Sequence, residues 1–169
     1  MTAPRRVVTG HDPDGRSVVL ADGPAPKSHS IPGATFHEVW NTTEMPAPVA
    51  PTEPREPTER PLVTPPDPNG TIIRIVDLTP RSRSPMHRTQ TIDYGIVLAG
   101  DVTLVLEDGS ETALRAGDVV VQRGTDHVWV NPSDEPARMA FVLVDGRFTD
   151  ELKGLLPAEP KLFEHAVDE

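Results

Sequence analysis

The chain has 169 residues, no cysteine, 20 prolines and a formal net charge of −10. That length suits one domain with appended chain; the lack of cysteine excludes disulfide scaffolds, zinc fingers and thiol catalysis, and fits a reducing cytoplasm. So acidic a surface, with aromatics at 4%, argues against nucleic acid as a partner, and no apolar run reaches the roughly 18 residues of a membrane span.

Residues 1–45 read as a β extension. The Arg5-Arg6 pair has no apolar stretch behind it, so a secretory signal is not expected. Residues 5–8 and 16–20 flank Asp12-Pro-Asp-Gly15, a turn sequence, and predict a hairpin. Residues 35–40 predict a third strand. An isolated hairpin is marginal in water, so the extension must dock, on the sheet of its own chain or on a second subunit.

Nine prolines between Pro46 and Pro68 predict a linker or mobile loop over residues 46–69, extended and polyproline-like. Residues 70–147 then carry a strong β signature. Strands are predicted at 72–78, 94–99, 102–107, 111–114, 119–122, 127–131 and 137–144, with turn chemistry in each gap. Short strands at this spacing predict an all-β sandwich or barrel. No gap is long enough for a crossover helix. Residues 148–169 predict one short helix and a tail, with Thr149 as its cap, Asp150 and Glu151 at its positive end, and Pro157 as its stop.

Two stretches carry candidate chemistry. The first runs Ser84-Pro-Met-His87-Arg-Thr89-Gln-Thr-Ile-Asp93, with Gly100 closing it. The second runs from Gly117 through Gly124-Thr-Asp-His127 to Asn131. Together they resemble the cupin superfamily, whose motifs are G-x5-H-x-H-x3,4-E-x6-G and G-x5-P-x-G-x2-H-x3-N. His87, Thr89, Asp93 and Gly100 keep the first motif's spacing. Gly117, Gly124, His127 and Asn131 stand for the glycines, histidine and asparagine of the second. The resemblance covers roughly residues 70–145 and implies a jelly-roll barrel (a double-stranded β-helix) with extra N-terminal strands. It also implies a homodimer and a small-molecule pocket inside the barrel.

In metal-binding cupins two histidines and a glutamate of the first motif and the histidine of the second ligate one divalent metal. Here Thr89 replaces a histidine and Asp93 the glutamate; the first motif lacks its leading glycine, and Arg123 replaces a proline. A neutral hydroxyl is a poor ligand, and aspartate draws its carboxylate back by about 1.5 Å where ligand distances near 2.0–2.2 Å are needed. Two readings stay open. His87, Asp93 and His127 could form a two-His, one-carboxylate site for Fe, Mn, Ni or Zn. Alternatively, without metal, they could act as general acid and base. No nucleotide cofactor is expected.

Period two along a strand places Gly95 on the face of Asp93, and Trp129 on that of His127. Gly95 is expected to leave room for a ligand, and Trp129 to stack on a flat substrate or simply fill core. Thr89 and Gln122 complete the expected substrate-binding set, and Tyr94 is expected to face outward. His11, His29 and His165 are expected to be solvated, His29 in a loop. Trp40, Phe36 and Phe141 are expected in core or interface. His37 and Glu38 are read as packing residues of a strand that could cross the barrel mouth. Arg81 and Arg83 are read as solvated loop residues.

Fold alone does not determine function. The leading expectation is a lyase or isomerase acting by dehydration, decarboxylation or tautomerisation on an organic acid or a polyketide-like or aromatic metabolite. In that scheme a histidine abstracts a proton, Asp93 orients the imidazole and the second histidine donates. The alternatives are an Fe(II)-dependent dioxygenase and a non-catalytic metabolite-binding module.

Overall fold

The computed structural model describes residues 1–53 and 55–156. Eleven strands precede one short helix: β1 (Arg5–His11), β2 (Ser17–Pro24), β3 (Lys27–Ile31), β4 (Ala34–Thr42), β5 (Thr71–Leu78), β6 (Thr91–Ala99), β7 (Asp101–Leu106), β8 (Glu111–Arg115), β9 (Val119–Arg123), β10 (His127–Val130), β11 (Ala137–Asp145) and α1 (Asp150–Leu155). A six-stranded sheet, β3-β4-β5-β11-β6-β9, faces a three-stranded sheet, β10-β7-β8, and β1-β2 stands apart as a hairpin. Isolated bridges between Arg83 and Val130 and between His87 and His127 stitch the segment before β6 onto β10.

Alternation decides what lies between the sheets. Val76 and Leu78 of β5, Val97 of β6, Val102 and Leu104 of β7, Trp129 of β10 and Ala137 and Met139 of β11 form one buried cluster. Each such aliphatic side chain contributes about 1.5–3 kcal/mol when fully buried.

Tight turns join the strands. Gly100, between β6 and β7, has φ +76°, and a Cβ there would lie 2.9 Å from the Ala137 Cα. Gly109 has φ +81° but open space around it. We expect Gly109→Ala to cost about 1–2 kcal/mol from the left-handed backbone alone, and Gly100→Ala distinctly more because backbone must move. Equal shifts in urea midpoint would refute the role of the Ala137 contact.

The second half of the N-terminal extension, β3 and β4, belongs to the barrel sheet of its own chain. β4 pairs with β5 from Ala34↔Leu78 to Thr42↔Thr71, with an irregularity between Glu38 and Trp40. β3, absent from the expected elements, pairs with β4. His29 therefore lies in a strand, half-buried, rather than in a solvated loop. The turn between them is Pro32-Gly33, with Gly33 at φ +92°; proline followed by a positive-φ glycine is a tight-turn signature. On the outer face of the sheet, His37 Nε2 meets Asp77 at 3.1 Å and Arg138 grips the same carboxylate at 2.6 and 2.7 Å. Burial raises the Asp77 carboxyl, and the bonds from Arg138 and His37 outweigh this to leave it below its ordinary value. His37 thus packs the outside of the sheet, away from the barrel interior.

Residues 46–53 and 55–69 are tied to the body of the protein. A proline-rich segment has few N–H groups, so it is held through its carbonyls and carboxylates. Pro51 O accepts from His11 N at 2.9 Å, Pro57 O from Asn41 Nδ2 at 2.6 Å, Val63 O from Arg74 Nη2 at 2.8 Å, and Arg60 O from Lys27 Nζ. Glu56 forms a two-point pair with Arg6 at 2.7 and 2.8 Å, which draws its carboxyl down to about 2. The Arg6 guanidinium also lies 5.8 Å from the Trp40 ring centroid, so this strap and the β1-β2 hairpin are joined to each other as well as to β4.

Helix α1 starts where expected. The Thr149 hydroxyl accepts from Leu152 N at 3.2 Å, with Asp150 and Glu151 in the first turn. Pro157, His165 and the expected tail lie outside the described residues.

Candidate functional site

The two motif histidines meet. His87 and His127 exchange both backbone hydrogen bonds, at 3.0 and 2.9 Å, and their rings sit 4.2 Å apart, centroid to centroid. Each ring is oriented by a carbonyl two residues earlier. His87 Nδ1 donates to Pro85 O at 3.0 Å and His127 Nδ1 donates to Thr125 O at 2.9 Å. A carbonyl only accepts, so the proton of each neutral ring resides on Nδ1 and Nε2 presents a lone pair. Neither Nε2 has a partner among the described residues. Burial pushes both imidazoles below their usual value; with the further repulsion of His87, His127 falls to about 4. Both rings are therefore neutral at pH 7.

Asp93 is inward-facing and 6% exposed. Its Oδ2 faces the Thr89 hydroxyl at 3.5 Å, and the Thr91 hydroxyl donates to Thr89 Oγ1 at 2.7 Å. Its Oδ1 is buried with no hydrogen-bond partner. Burial raises this carboxyl to about 6, with Thr91, Thr89 and Arg74 pulling in the other direction.

Histidines and carboxylate do not form one hydrogen-bonded triad. Carbonyls, not Asp93, orient the imidazoles, which corrects the expected role of the carboxylate. Asp93 ends instead among the threonines that precede it on the chain. Among the described residues no group of three His, Cys, Asp or Glu is placed to hold a metal ion. The donor set seen here does not fit a two-His, one-carboxylate centre.

The expected substrate-binding residues divide. Thr89 is buried in the Asp93 network. Gln122 faces Asp93 across the β6–β9 pairing; its amide donates to Thr125 O at 3.2 Å, while its Oε1 is buried and unpartnered. Trp129 is core, edge-on to Phe141 at 5.4 Å and to His127 at 5.6 Å, so it walls the histidine side. The room expected over Gly95 is taken by Phe141, whose Cε1 would lie 3.1 Å from a Cβ there. Tyr94 faces outward, 43% exposed.

Two charged interior residues escaped the sequence reading of the site. Arg74 Nη2 donates to Glu38 Oε1 at 2.6 Å, and the residues are 4% and 5% exposed. The signal was present: Arg74 shares the parity of Val76 and Leu78 in an otherwise apolar strand, so its side chain had to point inward. Asn131, the last motif residue, is wholly buried. Its amide donates to the carbonyls of Leu78, Thr79 and Glu135 at 3.3, 3.1 and 2.8 Å, and its Oδ1 accepts from Ser133 N at 3.0 Å. It stitches loops together. Arg81 occupies the place of the missing motif glycine and adopts that glycine's kind of backbone, with φ 56°; its side chain pairs with Asp134 at 2.8 Å.

A cleft of about 400 Å³ opens beside Thr91, lined also by Gln90, Arg123, Phe148 and Leu152. A second, of about 300 Å³, lies between the β1-β2 hairpin and the strap, far from the histidines in the fold. The first abuts the Thr91–Thr89–Asp93 network.

A family model described as a cupin domain matches residues 74–144. The chain is 39% identical over 153 residues to phomopsin biosynthesis cluster protein C' of Diaporthe leptostromiformis, covering 87% of this chain and 81% of that protein. It is 35% identical over 148 residues to the cupin-domain-containing oxidoreductase fogC of Aspergillus ruber, covering 83% of this chain and 71% of the relative. Among solved structures, the Schizosaccharomyces pombe Cnp3 cupin domain superposes with a TM-score of 0.52 at 13% identity, over 90% of this chain and 92% of that one.

Proposed function

The chain belongs to the cupin family, and from that premise we propose that it is a small-molecule enzyme that moves protons on an organic acid or a polyketide-like or aromatic metabolite. The observation that carries this reading is Asp93, a buried carboxyl with a free Oδ1 and a pKa of about 6. A general base is most effective when its pKa lies near the working pH. In a tautomerisation, ionised Asp93 takes a proton from the carbon next to a carbonyl. The C–H electron pair forms the enolate, and the protonated carboxyl returns the proton to a different atom. Dehydration uses the same base, the abstracted proton leaving with the hydroxyl group as water; in decarboxylation the C–C bond breaks, carbon dioxide leaves, and the protonated carboxyl instead delivers its proton to the carbanion. The neutral imidazoles of His87 and His127 accept hydrogen bonds at Nε2 from substrate hydroxyl groups. The biosynthetic-cluster names of the relatives support a metabolite substrate.

The sign of the pH dependence follows from Asp93. Its carboxyl must be ionised to act as base, so kcat/KM should climb through about pH 6 and level off above it. His127 contributes no limb in this range, because it titrates at about 4. A profile that is flat from pH 5 to 8 would remove Asp93 from this role.

An oxidation is the second reading, favoured by the oxidoreductase names of several relatives; for iron to take part, His87, Asp93 and His127 would have to come together as they do not in this structure. Metal analysis of protein purified without chelator, together with oxygen uptake, separates the two. The proton-transfer reading expects neither stoichiometric iron nor substrate-dependent oxygen consumption. Stoichiometric iron that is lost on Asp93→Ala would overturn it.

A further inference from the structure

We propose that Arg74, Arg60 and Glu38 form a carboxylate subsite between the strap and strands β4 and β5 that recognises a hydroxy acid. The name of the substrate class rests on the proton-transfer reading; the existence of the binding site does not. Arg74 is 4% exposed and uses Nη2 for both Glu38 Oε1 and Val63 O. Its Nε is buried without a partner, as are Nη2 of Arg60 and Oε2 of Glu38. Two guanidinium N–H donors and one carboxylate acceptor are thus left open within one neighbourhood. Electrostatic coupling links Arg74 to Arg60, and both to Glu38.

Native proteins seldom leave such atoms orphaned, because a buried polar group cut off from water without a partner is costly, and a charged one more so. Leaving three together is a pattern that a ligand resolves. A carboxylate supplies two acceptor oxygens for the two guanidinium donors, in the geometry arginine suits best. A neighbouring hydroxyl supplies the donor that Glu38 Oε2 lacks. The charge balance agrees: Lys27, Arg60 and Arg74 face Glu38, and Asp67 takes only the Nη1 of Arg60, at 2.6 Å.

The subsite also lies in reach of the proposed chemistry. Arg74 is paired with Phe141 in the sheet, and Phe141 with Gly95, two residues along β6 from Asp93. Arg74 and Asp93 act on each other electrostatically. The strap contributes Arg60 and the Val63 carbonyl, which gives the proline-rich segment a part in recognition as well as in packing.

Arginine Nε–H resonances of the full chain, titrated with glycolate, acetate and glycolamide, test this directly. Glycolate should shift the Arg74 signal saturably and bind more tightly than acetate, and glycolamide should leave it in place. Arg74→Lys assigns the signal. Arg74→Met leaves Glu38 buried and alone and so threatens folding; Glu38→Gln with Arg74→Met removes both charges together and keeps the volume. Glycolate affinity should fall about tenfold or more in that double variant and persist in Asp93→Asn. A shift that is absent, or linear without saturation, indicates water in the subsite and overturns the proposal, as does undiminished affinity in the double variant. If glycolate binds as described but the pH limb near 6 is missing, the proton-transfer reading fails and the subsite stands.

Discussion

Asp93→Asn is expected to abolish turnover and at the same time make the protein harder to unfold above pH 6. The carboxyl titrates at about 6 in the folded chain, against an ordinary value of 3.8, because burial disfavours its charged form. A carboxyl raised on folding favours the native state fully below pH 3.8, and that contribution is lost as pH rises through 6. At pH 7.5 the ionised, poorly partnered side chain costs up to about 3 kcal/mol, since each tenfold change in proton affinity is worth about 1.4 kcal/mol. Asparagine keeps an acceptor facing Thr89 and carries no charge. The melting temperature of the variant should match that of the wild type near pH 4, exceed it increasingly as pH rises towards 6, and keep a constant advantage above that. Loss of a positioned base should lower kcat by about 10²–10⁴. A variant that melts lower than wild type by the same margin at every pH would show that Asp93 is a structural residue.

The opposite pattern is expected at Asn131. Its amide donates to three carbonyls and its oxygen accepts from Ser133, with no exposed surface at all. Asn131→Ala deletes five hydrogen-bond contacts in one step, two N–H groups shared among three carbonyls and two donors of Ser133 to the oxygen, and leaves the carbonyls of Leu78, Thr79 and Glu135 to find other donors. At about 1 kcal/mol net per bond, and more where the group left behind is buried, the loss should reach about 3–4 kcal/mol. Such a value belongs to the few mechanisms that give exceptional destabilisation. Urea denaturation should show the midpoint falling with unchanged slope. Activity per folded molecule, measured in the cold, should be retained, because Asn131 touches neither the histidines nor Asp93. Loss of activity in a fully folded variant would reassign the residue to the site.

Strand alternation made the barrel legible. The β-branched runs and turn glycines placed every strand from β5 to β11 to within a few residues, and the motif spacing brought His87 opposite His127. β3 was missed because Lys27-Ser-His-Ser-Ile31 is polar on both faces; it becomes a strand only by pairing with β4. The anchoring of the proline-rich segment was hidden for a related reason. Composition reports that it lacks donors of its own, but not that Arg6, Asn41, Lys27 and Arg74 would supply them. Within the site, motif spacing located residues and left their side-chain partners undetermined. Thr89 and Thr91, not the histidines, take up the short carboxylate of Asp93. Gly95 looked like open space because Phe141, 46 positions downstream, had no visible connection to it. Arg74 and Glu38 were within reach of parity arguments applied outside the motifs.

The place of β11 bears on how the protein is made. This last strand lies between β5 and β6 in the six-stranded sheet. Until residue 145 has left the ribosome, those two strands have no neighbour to join them, and each presents an open edge. Before then β3-β4-β5 and β6-β9 can pair only as separate pieces, and the six-stranded sheet stays open between them. Its completion waits on distant pairings that close slowly, and nascent chains stalled before β11 should be prone to clump with one another.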